Sequence, residues 1–548
     1  MKITAGRRLL ILCIPAIFLA LVFTLSVLKG PFWLGSNFDP DYAYLLNGLN
    51  LAEGHAPGHV DHPGTPVQVL CSWVISGAAM LSGHGSTDAR QADVLARPEF
   101  YLCVTRNMMI GVYVLLLIVA GGVVLWRTGS ALRAVAIQLP ALLAPQIPYA
   151  MTTVKPEPLM LCVGMLIAIG AVVYLECEFK NRNEIMAVVF GGLIGLGLAA
   201  KITFIPVLFL PLLILERNVS RMLYLVCIAG AFYVATMPMH SRWDVMVNWF
   251  SAMLLNSGQY GGGAPGVVDV HSYLPALSST SALELSLTLM LLSNVALLIC
   301  ARRMELAPLY GGTEPTADSQ RVSGYRRCVF GLTLVEACQL AMVAKHPWGG
   351  AARYLVPALG LLGLNLFAAA TLIPALPAKW NGHAHKTGIA LLGCVMLFQA
   401  ARQIQFGSKL SAQIAAETAM AAKVETGFSN SDVAGFYPSS SPLYALQFGN
   451  RFASAAFSEP LRAQHPNAVF YNQWWMKFMD FRGAIADATV ARRISERKLF
   501  IHGPAVVLDT RGEPISTDYF PKGVQLEPVF STPAESLYRV VRWPLKQP

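Results

Sequence analysis

From Met108 to Trp126 the chain reads MMIGVYVLLLIVAGGVVLW, nineteen residues without one charged side chain. A run of that length matches the roughly 20 apolar residues a helix needs to cross the hydrocarbon of a bilayer. Inside that layer a backbone has no water to bond, so the run must be helical. The same texture continues over most of the first 400 residues. Only 13% of the 548 residues are charged, against about 25% in an ordinary soluble domain. The sequence therefore specifies a polytopic α-helical membrane protein.

The expected membrane segments are 9–28, 103–126, 131–149, 157–175, 185–200, 202–215, 221–238, 283–301, 328–344, 354–376 and 387–402, eleven in all. The opening MKITAGRRLLILCIPAIFLALVFTLSVLKG has a basic head and a long apolar stretch with no convincing cleavage site, so it is read as a retained first span. Charge decides whether 185–215 is one kinked helix or two halves turning at Lys201. With two halves, Arg127 and Arg133, Lys180 and Arg182, Arg217 and Arg221, Lys379 and Lys386, and the group Arg302, Arg303, Arg321, Arg326 and Arg327 all lie on the cytoplasmic side. One helix would export the five-arginine loop, against the positive-inside bias. Two halves place the N-terminus in the cytoplasm and the C-terminus outside. The loop 29–102, the turns around Lys155 and Lys201, the stretches 239–281 and 345–353, and the tail 403–548 then share the external face.

The expected organisation is a membrane module over 1–402, with amphipathic helices in its first external loop (29–102), and an external soluble domain over 403–548. The tail begins with helical SAQIAAETAMAAKVE and passes to short alternating runs such as LFIHG and SLYRVVR, the pattern of a small α/β or α+β domain. The net charge of +10 is spread over short loops without a dense basic patch, so no nucleic-acid partner is expected. The ten cysteines show no CxxC spacing, and those such as Cys13, Cys103, Cys162, Cys227, Cys300 and Cys394 sit in or beside apolar runs.

The first external loop holds the most distinctive polar stretch, DPDYAYLLNGLNLAEGHAPGHVDHPGTP, residues 39–66. Leu45, Leu46, Leu49 and Ala52 fall at helical spacing, and Gly54 is placed to end that helix. Asp39 and Asp41 flank Pro40 at its start, where an acid commonly caps a helix. Two carboxylates at a water–lipid boundary beside a long polar loop also suit catalysis. A metal site would use His55, His59, Asp61 and His62, but Pro57-Gly58 breaks the helix that would align His55 with His59. No metal or other cofactor is expected, and the loop histidines are read as hydrogen-bonding or phosphate-contacting groups.

A membrane span followed by an acid, a tyrosine, an apolar helix ending in Gly and a Pro-rich turn resembles the GT-C superfamily. More narrowly it resembles the branch holding the protein O-mannosyltransferases and the lipid A aminoarabinose transferase. In those enzymes an Asp lies some fourteen or fifteen residues before the helix-ending Gly; fifteen back from Gly54 is Asp39. His62-Pro63-Gly64 stands where a basic residue and Pro-Pro follow. Pro40 replaces the usual Glu, and Asp41 supplies the second acid one residue later, so both acids remain candidates. The resemblance covers the architecture to about residue 400, and only the first loop is specific.

The resemblance implies an inverting glycosyltransferase that moves a hexose or pentose from a polyprenyl-phosphate donor to a lipid, polysaccharide or protein acceptor. It implies a bacterial inner membrane with the active site on the periplasmic face. Such chemistry needs a carboxylate to take the acceptor proton and cations to stabilise the departing phosphate. The acid is Asp39 or Asp41. The phosphate candidates are His62; Arg106 in VTRNMM; Lys155 in TTVKPEPLML, with Glu157 expected to pair beside it; Lys201 in LAAKITF; and Arg353-Tyr354 in HPWGGAARYLVP, which also holds His346. Arg106 and Lys201 match basic positions of the related enzymes. Each cation alone suits a span end reaching for the interface, yet four on the external face exceed what orientation requires. The loop 241–273, with a Gly-rich turn and Tyr260 and His271 nearby, is read as a flexible lid or acceptor-side loop, and the aromatic cluster FYNQWWMKF at 470–478 as core or membrane contact more than sugar stacking.

Two other classes compete. A transporter or flippase of lipid-linked substrates predicts symmetry-related halves with matching broken helices, and only the break at Lys201 is seen. An O-antigen-type ligase or polymerase relies on external arginines without an acid directly after the first span.

Overall fold

The computed structural model describes residues 5–61, 63–83, 86–305, 317–345, 351–373, 378–515 and 519–544, and within these not the side chains of 5–8, 259, 283, 301–305, 317–320, 351, 378–393 and 395–396. The chain divides into two compact units. One comprises 1–25, 60–67 and 106–404, the other 26–59, 68–105 and 405–548.

The first unit is helical. Over the described residues of the whole chain, seven helices are long and apolar enough to cross a membrane: Leu9–Lys29, Thr65–Ser82, Pro98–Thr128, Pro156–Glu176, Arg182–Ala200, Asn218–Ala235 and Arg321–Ala344. Two bent pairs, Val270–Ala282 with Leu285–Cys300 and Ala352–Leu359 with Leu362–Leu372, raise the number to nine if each is one span. The short apolar helices Ala131–Leu143 and Ile202–Ile214 fall on two more expected segments. The expected segment 387–402 lies in the helix Ala378–Gly427, mostly where side chains are outside the described residues. Thr65–Ser82, expected as an amphipathic or half-buried segment, has the length and apolarity of a span. Val219, Met222, Val226 and Val234 of Asn218–Ala235 are each more than 60% exposed, a surface that lipid covers and water does not. The protein is an integral membrane protein.

Close helix approach follows from small residues. In Arg182–Ala200, a Cβ added at Gly191 would lie 2.5 Å from Cys227 Cβ, and one at Gly195 would lie 2.6 Å from Ala231 Cβ. Two glycines one turn apart let the backbones of this helix and Asn218–Ala235 meet. The helix stops at Lys201, whose backbone is extended (φ −163°, ψ 135°), and the chain resumes as a 3-10 turn over Ile202–Leu208. The expected break at Lys201 is present.

The second unit is built on a six-stranded sheet. Its strands are β1 (Asp432–Gly435), β2 (Phe470–Asn472), β3 (Lys477–Met479), β4 (Leu499–Pro504), β5 (Gln525–Ser531) and β6 (Glu535–Arg542), in spatial order β3-β2-β1-β4-β6-β5. β1 runs parallel to β2 and β4, and the other pairs are antiparallel. Alternation along β4 separates two apolar layers: Ile501 packs with Ala434, Tyr471 and Tyr538, while Phe500 packs with Leu537 and with Met420 of the long helix Ala378–Gly427. The tail, expected to form an α/β or α+β domain, carries this sheet. The helix Phe38–Ala52 belongs to this unit and packs on the helix Pro442–Phe452, where a Cβ at Gly449 would lie 2.8 Å from Tyr42 O.

Candidate functional site

The acidic group lies in the second unit. Asp39 is extended (φ −93°, ψ 119°) within a kink of Phe38–Ala52, because a residue before proline is excluded from helical geometry. That conformation takes its carboxylate out of the helix, where Oδ2 accepts a hydrogen bond from the Tyr437 hydroxyl at 2.7 Å. Asp39 is half-buried, whereas Asp41 is wholly buried. The two acids thus stand in different surroundings, one at an edge and one enclosed.

Beneath them, the Tyr42 hydroxyl donates to Glu99 Oε1 at 2.9 Å, and Glu99 Oε2 accepts from Phe32 N at 2.9 Å. Burial, then the Glu99 carboxylate, pushes the Tyr42 phenol well above its ordinary pKa, so it remains a donor. The segment leading to Asp39 is held from the sheet domain. Gly35 N donates to Ser440 Oγ at 3.0 Å, and Glu535 Oε1 accepts from Ser440 N and Oγ at 2.8 and 2.9 Å. His502 Nε2 lies 3.1 Å from Glu535 Oε2, all within the interior. A Cβ at Gly35 would lie 2.6 Å from Glu535 Oε1, so a side chain there would have to displace that carboxylate. Ser36 Oγ donates to Glu417 Oε2 at 3.0 Å.

The loop histidines separate. His55 is exposed. His59 is buried with its ring edge-on to Tyr44 and Phe452, at centroid distances of 5.4 and 5.0 Å, so it serves packing. Gly54 closes the helix with φ +81° as expected. His62 and His346 lie outside the described residues.

The cationic group lies in the first unit. Lys201 Nζ is 2.6 Å from Glu157 Oε1, with 8% and 4% of the two side chains exposed. Glu157, expected beside Lys155, therefore pairs with Lys201. Pro156 opens the helix Pro156–Glu176 at a position where proline needs no donor, and Lys155 stands at its N-cap. Lys201 Nζ also lies 4.6 Å from the ring centroid of Tyr354, and the Arg353 guanidinium carbon 5.0 Å from it. Arg353 donates to the Tyr354 hydroxyl at 3.1 Å, and the Tyr260 hydroxyl meets the Tyr354 hydroxyl at 3.0 Å. Gln339 Nε2 fixes the Tyr354 carbonyl at 2.7 Å. Gly64 N donates to Ala200 O at 3.2 Å, which brings the Pro63-Gly64 turn to the helix end beside Lys201 and satisfies a terminal carbonyl.

This unit thus gathers Glu157, Lys201, Arg353 and Tyr354, two cations to one carboxylate. Arg106 donates to its neighbour Asn107 at 3.2 Å. Arg353 and the phenols of Tyr354 and Tyr260 stand beside the Lys201–Glu157 pair. Sequence reasoning missed Tyr437 and Glu99. Tyr437 follows β1 at the carboxyl end of a strand with parallel neighbours, a place where α/β sheets bind ligands. Glu99 carries no such sign, being one acid in the first turn of a span.

No known protein family matches the chain, and no curated protein matches it. Among solved structures, ArnT from Cupriavidus metallidurans bound to undecaprenyl phosphate is similar at a TM-score of 0.43 and 14% identity, covering 96% of this chain and 97% of that one. The same protein in the apo state gives 0.43 and 12% identity, covering 95% and 97%.

Proposed function

We propose that the protein is an inverting glycosyltransferase of the periplasmic face of a bacterial inner membrane, taking a sugar from a polyprenyl-phosphate carrier. The acceptor hydroxyl oxygen bonds to the anomeric carbon as the bond from that carbon to the phosphate oxygen breaks. The electron pair leaves with the lipid phosphate, and the acceptor proton passes to Asp39. The observation that carries this reading is the Asp39 carboxylate, drawn out of its helix by Pro40 and oriented by Tyr437 at 2.7 Å. A general base must be aimed and reachable, and half-buried Asp39 fits that need better than enclosed Asp41.

Arg353, Tyr354 and Tyr260 suit the developing charge of the lipid phosphate, with Lys201 held in reserve by Glu157. Fixed donors of this kind stabilise charge that builds in the transition state. Lys155, Arg106 and His62 are assigned to the same phosphate or to the approach of the donor. The exposed apolar helices supply the lipid-facing surface that an isoprenoid tail requires.

The test is release of free polyprenyl phosphate by the purified protein from a panel of labelled polyprenyl-phosphate hexoses and pentoses, compared with Arg353→Met. Release with one donor, reduced in the variant, supports the proposal. If no donor is consumed and an intact lipid-linked sugar instead crosses a proteoliposome membrane, a flippase replaces it. Transfer of an oligosaccharide from a diphosphate-linked donor would make it a ligase or polymerase.

A further inference from the structure

The second unit contains a cleft of about 160 Å³ between the helix Pro442–Phe452 and strands β2 and β3. Tyr444, Gln447, Phe448, Arg451, Asn472 and Trp475 line it. The sequence favoured core packing or membrane contact for the aromatic cluster at its edge. Phe470, Tyr471 and Phe478 do enter the core, but Trp474 and Trp475 are 55% and 60% exposed.

The two indoles are nevertheless fixed. Asn472 Oδ1 accepts from the backbone N–H of both at 3.1 Å, which sets the turn that displays them. The Arg451 guanidinium carbon lies 4.8 Å from the Trp474 ring and 5.2 Å from the Trp475 ring. Gln447 Oε1 is enclosed at the cleft and takes no hydrogen bond among the described residues. A buried acceptor left without a donor is costly, so its place in a cleft points to a hydroxyl or amide on a ligand. The aromatic wall continues inward: Tyr437 is stacked on Phe448 at 5.6 Å and 21° and stands 6.0 Å from Trp474. The Tyr437 hydroxyl is the group that holds Asp39.

We propose that this cleft binds a pyranose ring of a carbohydrate acceptor and presents a neighbouring hydroxyl to Asp39. A pyranose has an apolar face of C–H groups and a rim of hydroxyls. The flat exposed indole suits the face, and Gln447, Asn472 and Arg451 suit the rim. The volume is below the roughly 300–1,000 Å³ of drug-sized pockets and suits one ring. Tryptophans also rest at lipid interfaces, but lipid would leave the Gln447 oxygen unsatisfied. The inference rests on Asp39 as the base of the proposed transfer.

Saturation-transfer NMR on the full-length protein in nanodiscs tests it, with methyl α-mannopyranoside, methyl β-galactopyranoside and N-acetylglucosamine as probes. At least one should bind wild type and Asp39→Asn alike, should bind roughly tenfold more weakly to Trp475→Ala and Gln447→Leu, and should recover with Trp475→Phe. Unchanged melting of the variants shows that they fold. Binding unaffected by Trp475→Ala, or no binding of any probe, overturns the cleft. If in that case release of lipid phosphate still requires Asp39, the base reading survives alone. Binding that follows the cleft variants together with an Asp39→Asn enzyme of full activity keeps the sugar site and rejects the base. Quenching of the Trp474 and Trp475 fluorescence by brominated lipid would place these rings in the membrane and overturn the proposal.

Discussion

Replacing Glu157 by glutamine tests the cationic group at its most constrained point. Lys201 and Glu157 meet at 2.6 Å with only 8% and 4% of their side chains exposed. Breaking a buried pair by removing one partner costs about 3–5 kcal/mol, because the remaining charge stays enclosed without compensation. At about 2 °C per kcal/mol for a large helical unit, that predicts an apparent melting temperature lower by roughly 6–10 °C. The Tyr354 ring 4.6 Å from Lys201 Nζ offsets part of the loss in Glu157→Gln. In Lys201→Met the Arg353 charge, which also acts on Glu157, offsets part of the loss in the same way, so the two single variants should fall in the same range. The double variant Glu157→Gln/Lys201→Met removes both charges and should regain most of the stability. The assay is thermal unfolding in detergent at one fixed scan rate, since membrane proteins unfold irreversibly. Single variants within about 1 °C of wild type, or a double variant whose loss is the sum of the two, would refute the reasoning.

Three further outcomes follow from the geometry. Tyr437→Phe removes the hydroxyl that orients Asp39 and should lower kcat about tenfold with donor KM unchanged; added to Asp39→Asn it should cost nothing more, whereas a merely structural tyrosine would add its own loss. Within the first unit, Glu336 accepts from Asn294 at 3.1 Å and from Asn365 at 2.6 Å, all three buried. Glu336→Gln keeps one acceptor and sets an amide against the other donor, while Glu336→Leu removes both acceptors and leaves Asn294 only its bond to Asn365 Oδ1 at 2.7 Å; the Leu variant should therefore be the less stable, by about 1–3 kcal/mol per group left unpaired, read as a lower melting temperature. Burial raises the Glu417 pKa above the ordinary glutamate value. For this raised carboxyl, stability is fully present below the unfolded pKa and is lost as pH rises through the folded one. Melting temperature should therefore fall across that window on the way to neutral pH, and Glu417→Gln should flatten this component, visible by comparing melts from acidic to neutral pH.

How much of this was legible in the sequence depends on the range of the interactions involved. The apolar runs, the break at Lys201 and the helix end at Gly54 were legible, because each is set by hydrophobic length or by one residue's backbone preference. Asp39, Lys201, Arg353 and Tyr354 were named as candidates from residue type and place in the chain alone. Their partners were not. Glu157 was assigned to its sequence neighbour, yet its charge is met by Lys201 from another helix. Tyr437 reaches Asp39 from the far end of the chain, and Ser440, His502 and Glu535 form one buried network from separate elements. Such contacts leave no local periodicity. His59 is the reverse case: a residue with ligand chemistry whose ring is used for packing.

The central claim is that Asp39 takes the acceptor proton during sugar transfer. Its most direct test is single-turnover release of polyprenyl phosphate from bound donor by wild type, Asp39→Asn and Asp41→Asn, with donor affinity measured alongside. Asp39→Asn should bind donor as wild type does and lose release by a factor on the order of 10²–10⁴. Turnover by Asp39→Asn at the wild-type rate would contradict the account, as would loss confined to Asp41→Asn in a protein that still folds and binds donor.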